Sequence, residues 1–221
     1  MEKIEQNSSR TDLGFVHRYI PSKNTNNGTT ILILHGTGGN EDDLIPVAEM
    51  IDDDASILSP RGKVLENGMP RFFRRFAEGV FDVDDLKFRT NELADFVARA
   101  SKKYSLDPQS VVAMGYSNGA NIAASLLLLR PESLRGAILF RAMVPLVPER
   151  TPDLTGKKVF ISEGRFDQII PQNQTNQLVE MLRNAGAEVA LNLEDSDHSL
   201  IQNDIVKARL WRDRQKKNRA T

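Results

Sequence analysis

Ser117 stands in the pentapeptide Gly115-Tyr116-Ser117-Asn118-Gly119, after the apolar run VVAM and before a second, NIAASLLLL. A hydroxyl at that spacing suits nucleophilic catalysis. A G-x-S-x-G turn from strand to helix holds an attacking serine at its tip, and the glycines let strand and helix approach. The bare pattern arises by chance in about one such chain in fifteen, and the flanking apolar runs sharpen it. A capping serine in a glycine-rich turn is the plainer reading. A serine needs a base to take its proton, and near neutral pH the base is usually histidine. Of His17, His35 and His198, only His198 follows Ser117, as the order Ser, acid, His demands of this turn.

The acid has several candidates between serine and histidine: Asp153, Glu163, Asp167, Glu194, Asp195 and Asp197. Asp167 lies in EGRFDQIIP, just beyond the apolar run of KKVFIS, where a carboxylate can reach the imidazole Nδ1 and set its tautomer. Glu163 is the nearest competitor, closer to the strand; Asp197 adjoins the histidine and suits a loop-shaping role. A tetrahedral intermediate also needs backbone N–H donors. Asn118, the residue after the nucleophile, supplies one, and Thr37 in HGTGGN the other, with Gly38 the second choice. The glycines of that loop, Gly38 among them, let it fold close to substrate. Glu41 stands where G-x-G-x-x-G requires its last glycine, and no GK[ST] occurs, so this loop is not a phosphate cradle. His35 reads as a structural brace for it.

Elements that place these groups follow from periodicity. Residues 14–20 and 29–35 read as strands of an N-terminal hairpin across the turn-rich PSKNTNNG. ILIL within the second has the continuous apolar character of a strand buried on both faces. Further strands are predicted at 55–58, 110–115, 135–141, 157–162 and 187–193, and helices at 41–51, 84–104, 118–129, 171–185 and from 200 onward, with Ile201, Ile205, Ala208, Leu210 and Trp211 inward. Strand-helix alternation calls for a mostly parallel sheet with helices on both faces, an α/β fold whose ligands sit at the C-terminal strand ends. Residues 60–83 show no clean period. Met69, Phe72, Phe73 and Phe76 there suit an apolar pocket wall, and Arg61, Arg71, Arg74 and Arg75 suit an anionic substituent. Arg141 and Met143, in LFRAMVP, are candidates for the same pocket. No long insertion suggests a large lid domain.

The 221 residues suit one domain, residues 13–221 after a 12-residue tail. Hydrophobic residues are 40% and charged residues 27%, ordinary for a soluble domain. A net charge of −1 gives no footprint for nucleic acid. Absence of cysteine removes disulfides and thiol nucleophiles. No apolar run reaches membrane-spanning length or resembles a signal sequence, so a cytoplasmic protein is expected. The acidic stretches IDDDAS and EDSD lack ligand-spaced histidines and read as solvated loops rather than metal sites. The basic end WRDRQKKNRAT reads as a fraying helix terminus.

LHGTGGNEDDL, SPRGKVLENGMPRFFRR, GYSNGANIA, LFRAMVPL and EGRFDQIIP, in that order, resemble the bacterial carboxylesterase/phospholipase family of α/β-hydrolases, in particular its methylhydroquinone-induced branch. The resemblance runs from about residue 13 to the end. It implies an α/β-hydrolase fold, hydrolysis of small to medium carboxylic esters through an acyl-enzyme, no cofactor, and Ser117, Asp167 and His198 as the triad. Thioesters and lysophospholipids are close variants, and a homodimer is possible. The family pattern places Gly before the catalytic histidine, where this chain has Asp197. That departure supports a second expectation, a slow or non-catalytic sensor for a small electrophile or quinone-related ligand.

Overall fold

The computed structural model describes residues 9–24 and 28–217. Along the chain run β1 (His17–Ile20), β2 (Thr30–Leu34), helix α1 (Ile45–Ile51) and β3 (Ser56–Pro60). Four short strands follow, β4 (Val64–Glu66), β5 (Met69–Arg71), β6 (Arg75–Ala77) and β7 (Val80–Phe81). Then come α2 (Val83–Tyr104), β8 (Val111–Tyr116), α3 (Asn118–Leu129), β9 (Gly136–Phe140), β10 (Lys158–Gly164), α4 (Gln172–Asn184), β11 (Glu188–Glu194) and α5 (Gln202–Lys217).

Seven strands form one sheet in the order β1-β3-β2-β8-β9-β10-β11, parallel except for β1. All five β2 residues are buried, because β2 has a parallel neighbour on either side and a packed layer on each face. Its side chains alternate between two cores. Leu32 and Leu34 join Leu93, Phe96 and Leu126 on one face; Ile31 and Ile33 join Ala48, Ile51, Ile205 and Ala208 on the other.

The N-terminal hairpin does not form. β1 pairs antiparallel with β3, His17 opposite Pro60 and Ile20 opposite Ile57. With both β2 edges taken by β3 and β8, β1 is left the sheet's outer edge. Helix α1 begins at Ile45 rather than residue 41, because the Glu41 side chain turns inward to accept from Arg61 and Ser9. The aperiodic 60–83 segment folds as two small antiparallel hairpins, β4-β5 and β6-β7.

Two charged stretches also differ from expectation. Asp52 of the acidic loop is buried and accepts from Arg212 Nε at 2.9 Å and Lys216 Nζ at 2.5 Å, while Arg212 also donates to Thr29 Oγ1 at 2.8 Å. The basic α5 is thus clamped to the sheet, its inner face carries Asp204, Ile205, Ala208 and Arg212, and Leu210 is exposed. Residues 218–221 of the basic end lie outside the described residues. So do residues 1–8 of the expected tail; Arg10 is tied to the domain by an antiparallel bridge to His17. Among the described residues no helix is long and apolar enough to cross a membrane.

Candidate active site

β8 ends in Tyr116 and α3 begins at Asn118, so the whole reversal from strand to helix falls on Ser117. Its backbone sits at φ 52°, ψ −113°, a left-handed region that costs a non-glycine residue on the order of 1–3 kcal/mol. The flanking glycines make the reversal possible. A Cβ on Gly115 would lie 2.5 Å from the Gly119 carbonyl oxygen, and one on Gly119 would lie 2.0 Å from the Leu34 carbonyl oxygen. Gly119 thereby sets how closely α3 approaches the end of β2. Gly119→Ala is expected to destabilise by more than the ~1–3 kcal/mol of an overpacked core, since backbone must move; a thermal melt checks this.

His198 lies in the loop between β11 and α5. Its Nε2 is 3.0 Å from Ser117 Oγ and its Nδ1 2.7 Å from Asp167 Oδ2. An ionised carboxylate only accepts, so Nδ1 carries the proton and Nε2 is free to accept from the serine hydroxyl. The Asp167 carboxyl is shielded from solvent. Burial acts to raise its pKa, yet the bonds from His198 and from the Ile170 and Ile169 amides together hold it below the ordinary carboxylate range.

Three successive carbonyls of the histidine loop are held from below. Arg141 Nε donates to Asp197 O at 3.1 Å, the Tyr116 hydroxyl to His198 O at 2.9 Å, and Arg141 Nη2 to Ser199 O at 2.6 Å. A Cβ on Gly164 would meet Asp197 O at 2.3 Å, so β10 ends directly against the loop. Asp197 itself is exposed, and its Oδ1 accepts from the Ser199 N–H at 2.8 Å, an Asx turn that carries the chain across His198. The Asp197 side chain therefore shapes the turn across His198.

Glu163, the competing acid, sits against the Asp167 carboxyl and leaves the imidazole to Asp167. It is buried at the end of β10, where Oε2 accepts from Thr175 Oγ1 at 3.0 Å. Burial, reinforced by the Asp167 charge against the Thr175 bond, pushes its pKa up to about 8. Its native form thus holds a proton that the unfolded chain, near 4.5, releases, so stability falls as pH rises between those values. Glu163→Gln is expected to remove that fall, so that its melting temperature gains on wild type between about pH 5 and about pH 9.

On the opposite side of the serine, Thr37 follows β2. The Asn118 N–H, first in α3, has no helical partner one turn back. Gly38, the second choice for the oxyanion pair, has its N–H committed to Pro70 O at 2.9 Å. Arg71 Nη1 donates to Thr37 Oγ1 at 2.6 Å, and Asn118 Oδ1 accepts from the Phe72 N–H at 2.7 Å. His35 is buried, which holds its pKa below the ordinary value. It accepts the Gly62 N–H on Nε2 at 2.9 Å, with Nδ1 2.7 Å from Gly36 O. It braces the loop as expected.

A narrow cleft at Ser117 is lined by Thr37, Asn118, Asn121, Arg71, Arg75, Glu78, Gly79, Phe81, Met143, Ile169 and Ile170. Of the residues expected to bind substrate, Arg71, Arg75 and Met143 are among them, whereas Gly38, Met69, Phe72, Phe73, Phe76, Arg61, Arg74 and Arg141 are not. Phe72 and Phe73 are 2% and 0% exposed in the core, where apolar burial outweighs any gain from facing the cleft. Gly38 lies against Met69, itself half-exposed, and Phe76 is 77% exposed. Arg141 is fully buried and chelates Asp204 at 2.8 and 3.0 Å. Among the described residues no cluster of metal-ligating side chains occurs.

This geometry has counterparts. Residues 16–210 match the model of the phospholipase/carboxylesterase family. The chain is 46% identical over 194 residues to the protein named "Putative hydrolase MhqD" of Bacillus subtilis (strain 168), covering 88% of this chain and 96% of that one. The crystal structure of the Bacillus cereus carboxylesterase superposes with a TM-score of 0.89 at 48% identity, covering 91% of this chain and 94% of that one. YahD, solved with malic acid, gives 0.83 at 32% identity, covering 88% and 96%. Match length, identity and shared architecture agree: this chain is an α/β-hydrolase of the phospholipase/carboxylesterase family.

Proposed function

We propose that the protein is a serine carboxylesterase acting on small to medium carboxylic esters through an acyl-enzyme. The observation that carries this reading is the hydrogen-bonded chain from Ser117 Oγ through His198 to Asp167, at 3.0 and 2.7 Å. Ser117 Oγ attacks the ester carbonyl as His198 Nε2 takes its proton, and Asp167 steadies the imidazolium. The carbonyl oxygen, now negative, is held by the Thr37 and Asn118 amides; each such donor lowers the barrier by about 3–4 kcal/mol. Collapse expels the alcohol, protonated from His198. Water, activated by the same imidazole, then releases the acid and restores the hydroxyl.

The narrow cleft supports a short acyl or alcohol group over a long lipid chain. Fluorophosphonate labelling followed by peptide mapping tests the reading. One adduct on the peptide containing Ser117 is the expected result; an unlabelled protein, or a label elsewhere, defeats it and favours the sensor.

A further inference from the structure

The four arginines of the 60–83 segment are of two kinds. Arg61 is spent on Glu41, with Nε and Nη2 at 2.5 and 2.8 Å from its carboxylate. Arg74 is exposed and reaches Asp82 at 3.0 Å. Neither lines the cleft; Arg71 and Arg75 do. Glu66 stands between these two, 3.1 Å from Arg71 Nη1 and 3.0 Å from Arg75 Nε, so one carboxylate serves two guanidinium groups. Arg71 is buried and also donates from Nε to Phe73 O and from Nη1 to Thr37 Oγ1. Among the described residues Arg71 Nη2 and both terminal nitrogens of Arg75 make no hydrogen bond. Phe81, Met143 and Ile170 give the same cleft an apolar side.

We infer that this cleft selects esters bearing a second carboxylate, with Arg75 as its docking cation and Arg71 behind it. The inference rests on the esterase reading and names its substrate class. A guanidinium with two free nitrogens presents the fork that a carboxylate matches bidentately, and a partly enclosed site strengthens the pair. Burial, then the neighbouring Arg75 charge, hold the Arg71 pKa below its ordinary value despite Glu66; an incoming anion relieves that imbalance. Glu78 opposes it. This residue is exposed, lines the cleft and makes no ion pair among the described residues.

The test compares esters in which a carboxylate replaces a methyl group. On the acyl side, mono-4-nitrophenyl glutarate is set against 4-nitrophenyl valerate; on the alcohol side, 3-acetoxybenzoate against 3-methylphenyl acetate. The readout is the ratio of kcat/KM within each pair, which cancels any general loss of activity. Wild type is expected to favour the anion by about tenfold in one series, less so in high salt. Arg75→Gln is expected to remove most of that preference, Arg75→Lys to keep part of it, and Glu78→Gln to raise it a few-fold. Glu78 is exposed, so its variant reports even if the Arg75 variants fold poorly. A wild-type ratio at or below one in both series, or ratios that no variant shifts, overturns the inference. Hydrolysis of neither member of a pair would instead count against the esterase reading.

Discussion

Ser117→Ala is expected to lower kcat/KM for 4-nitrophenyl butyrate by about 10⁴-fold or more while leaving the melting temperature near that of wild type. The methyl removes the attacking oxygen and nothing that packs, since Ser117 makes no side-chain cap to α3 and, among the described residues, its hydroxyl meets only His198. Binding and the two amide donors remain, so a residual rate above the uncatalysed one should persist. Asp167→Asn is expected to cost a similar factor for a different reason. A neutral amide at 2.7 Å no longer favours the proton on Nδ1, and the tautomer with Nε2–H cannot take the serine proton. Equal rates in wild type and Ser117→Ala, with background hydrolysis subtracted, would end the nucleophile assignment.

The second large effect belongs to Arg141, which the cleft does not use. Its fully buried guanidinium reaches Asp204 twice, Ser162 O, Ser196 Oγ, and the carbonyls on both sides of His198. Arg141→Met leaves the Asp204 carboxylate buried without its partner, and a loss of about 3–5 kcal/mol in stability is expected. Arg141→Met combined with Asp204→Leu removes both charges and should regain much of that stability. Activity should not return with it, because the carbonyls of residues 197 and 199 still lack their donors. A loosened histidine loop is expected to lower kcat by about 10²-fold, in line with a misplacement of about 1 Å at a catalytic group. Urea unfolding with kcat on the same variants separates the two effects. A double variant that recovers full kcat would show that Arg141 supports the fold and not the histidine.

Much of the site is legible along the chain because its constraints are local. Gly115, Ser117 and Gly119 are fixed by the steric demands of one sharp turn, and the apolar runs beside them are the strand and helix that the turn joins. Chain order and the small number of histidines single out His198. Asp167 is harder to reach this way, since Glu163 sits four residues earlier at the same strand end. The two are separated by reach: the buried Glu163 side chain meets Thr175 and the Asp167 carboxyl, and Asp167, beyond the last sheet residue, is the one that meets the imidazole.

Arg141 and the phenylalanines of 60–83 mark where local reading fails. An arginine next to a strand end looks like a pocket residue until Asp204, 63 positions on, is seen to neutralise it. Phe72 and Phe73 look like a pocket wall until the β4-β5 hairpin turns them into the core. Arg71 carried no local signal for its bond to Thr37, because the partners lie 34 residues apart. Tyr116 was hidden in the same way, as an ordinary variable position of the serine pentapeptide.

Periodicity and turn chemistry, properties of neighbours along the chain, were enough for most of the alternating elements and for the strand-to-helix turn at Ser117. Which edge β1 occupies, which charges pair in the interior and which arginines face the cleft depend on contacts between residues tens of positions apart. Such contacts are set by how buried charges find partners and how apolar area is shared between two faces of one sheet, and no short window of residues contains that information.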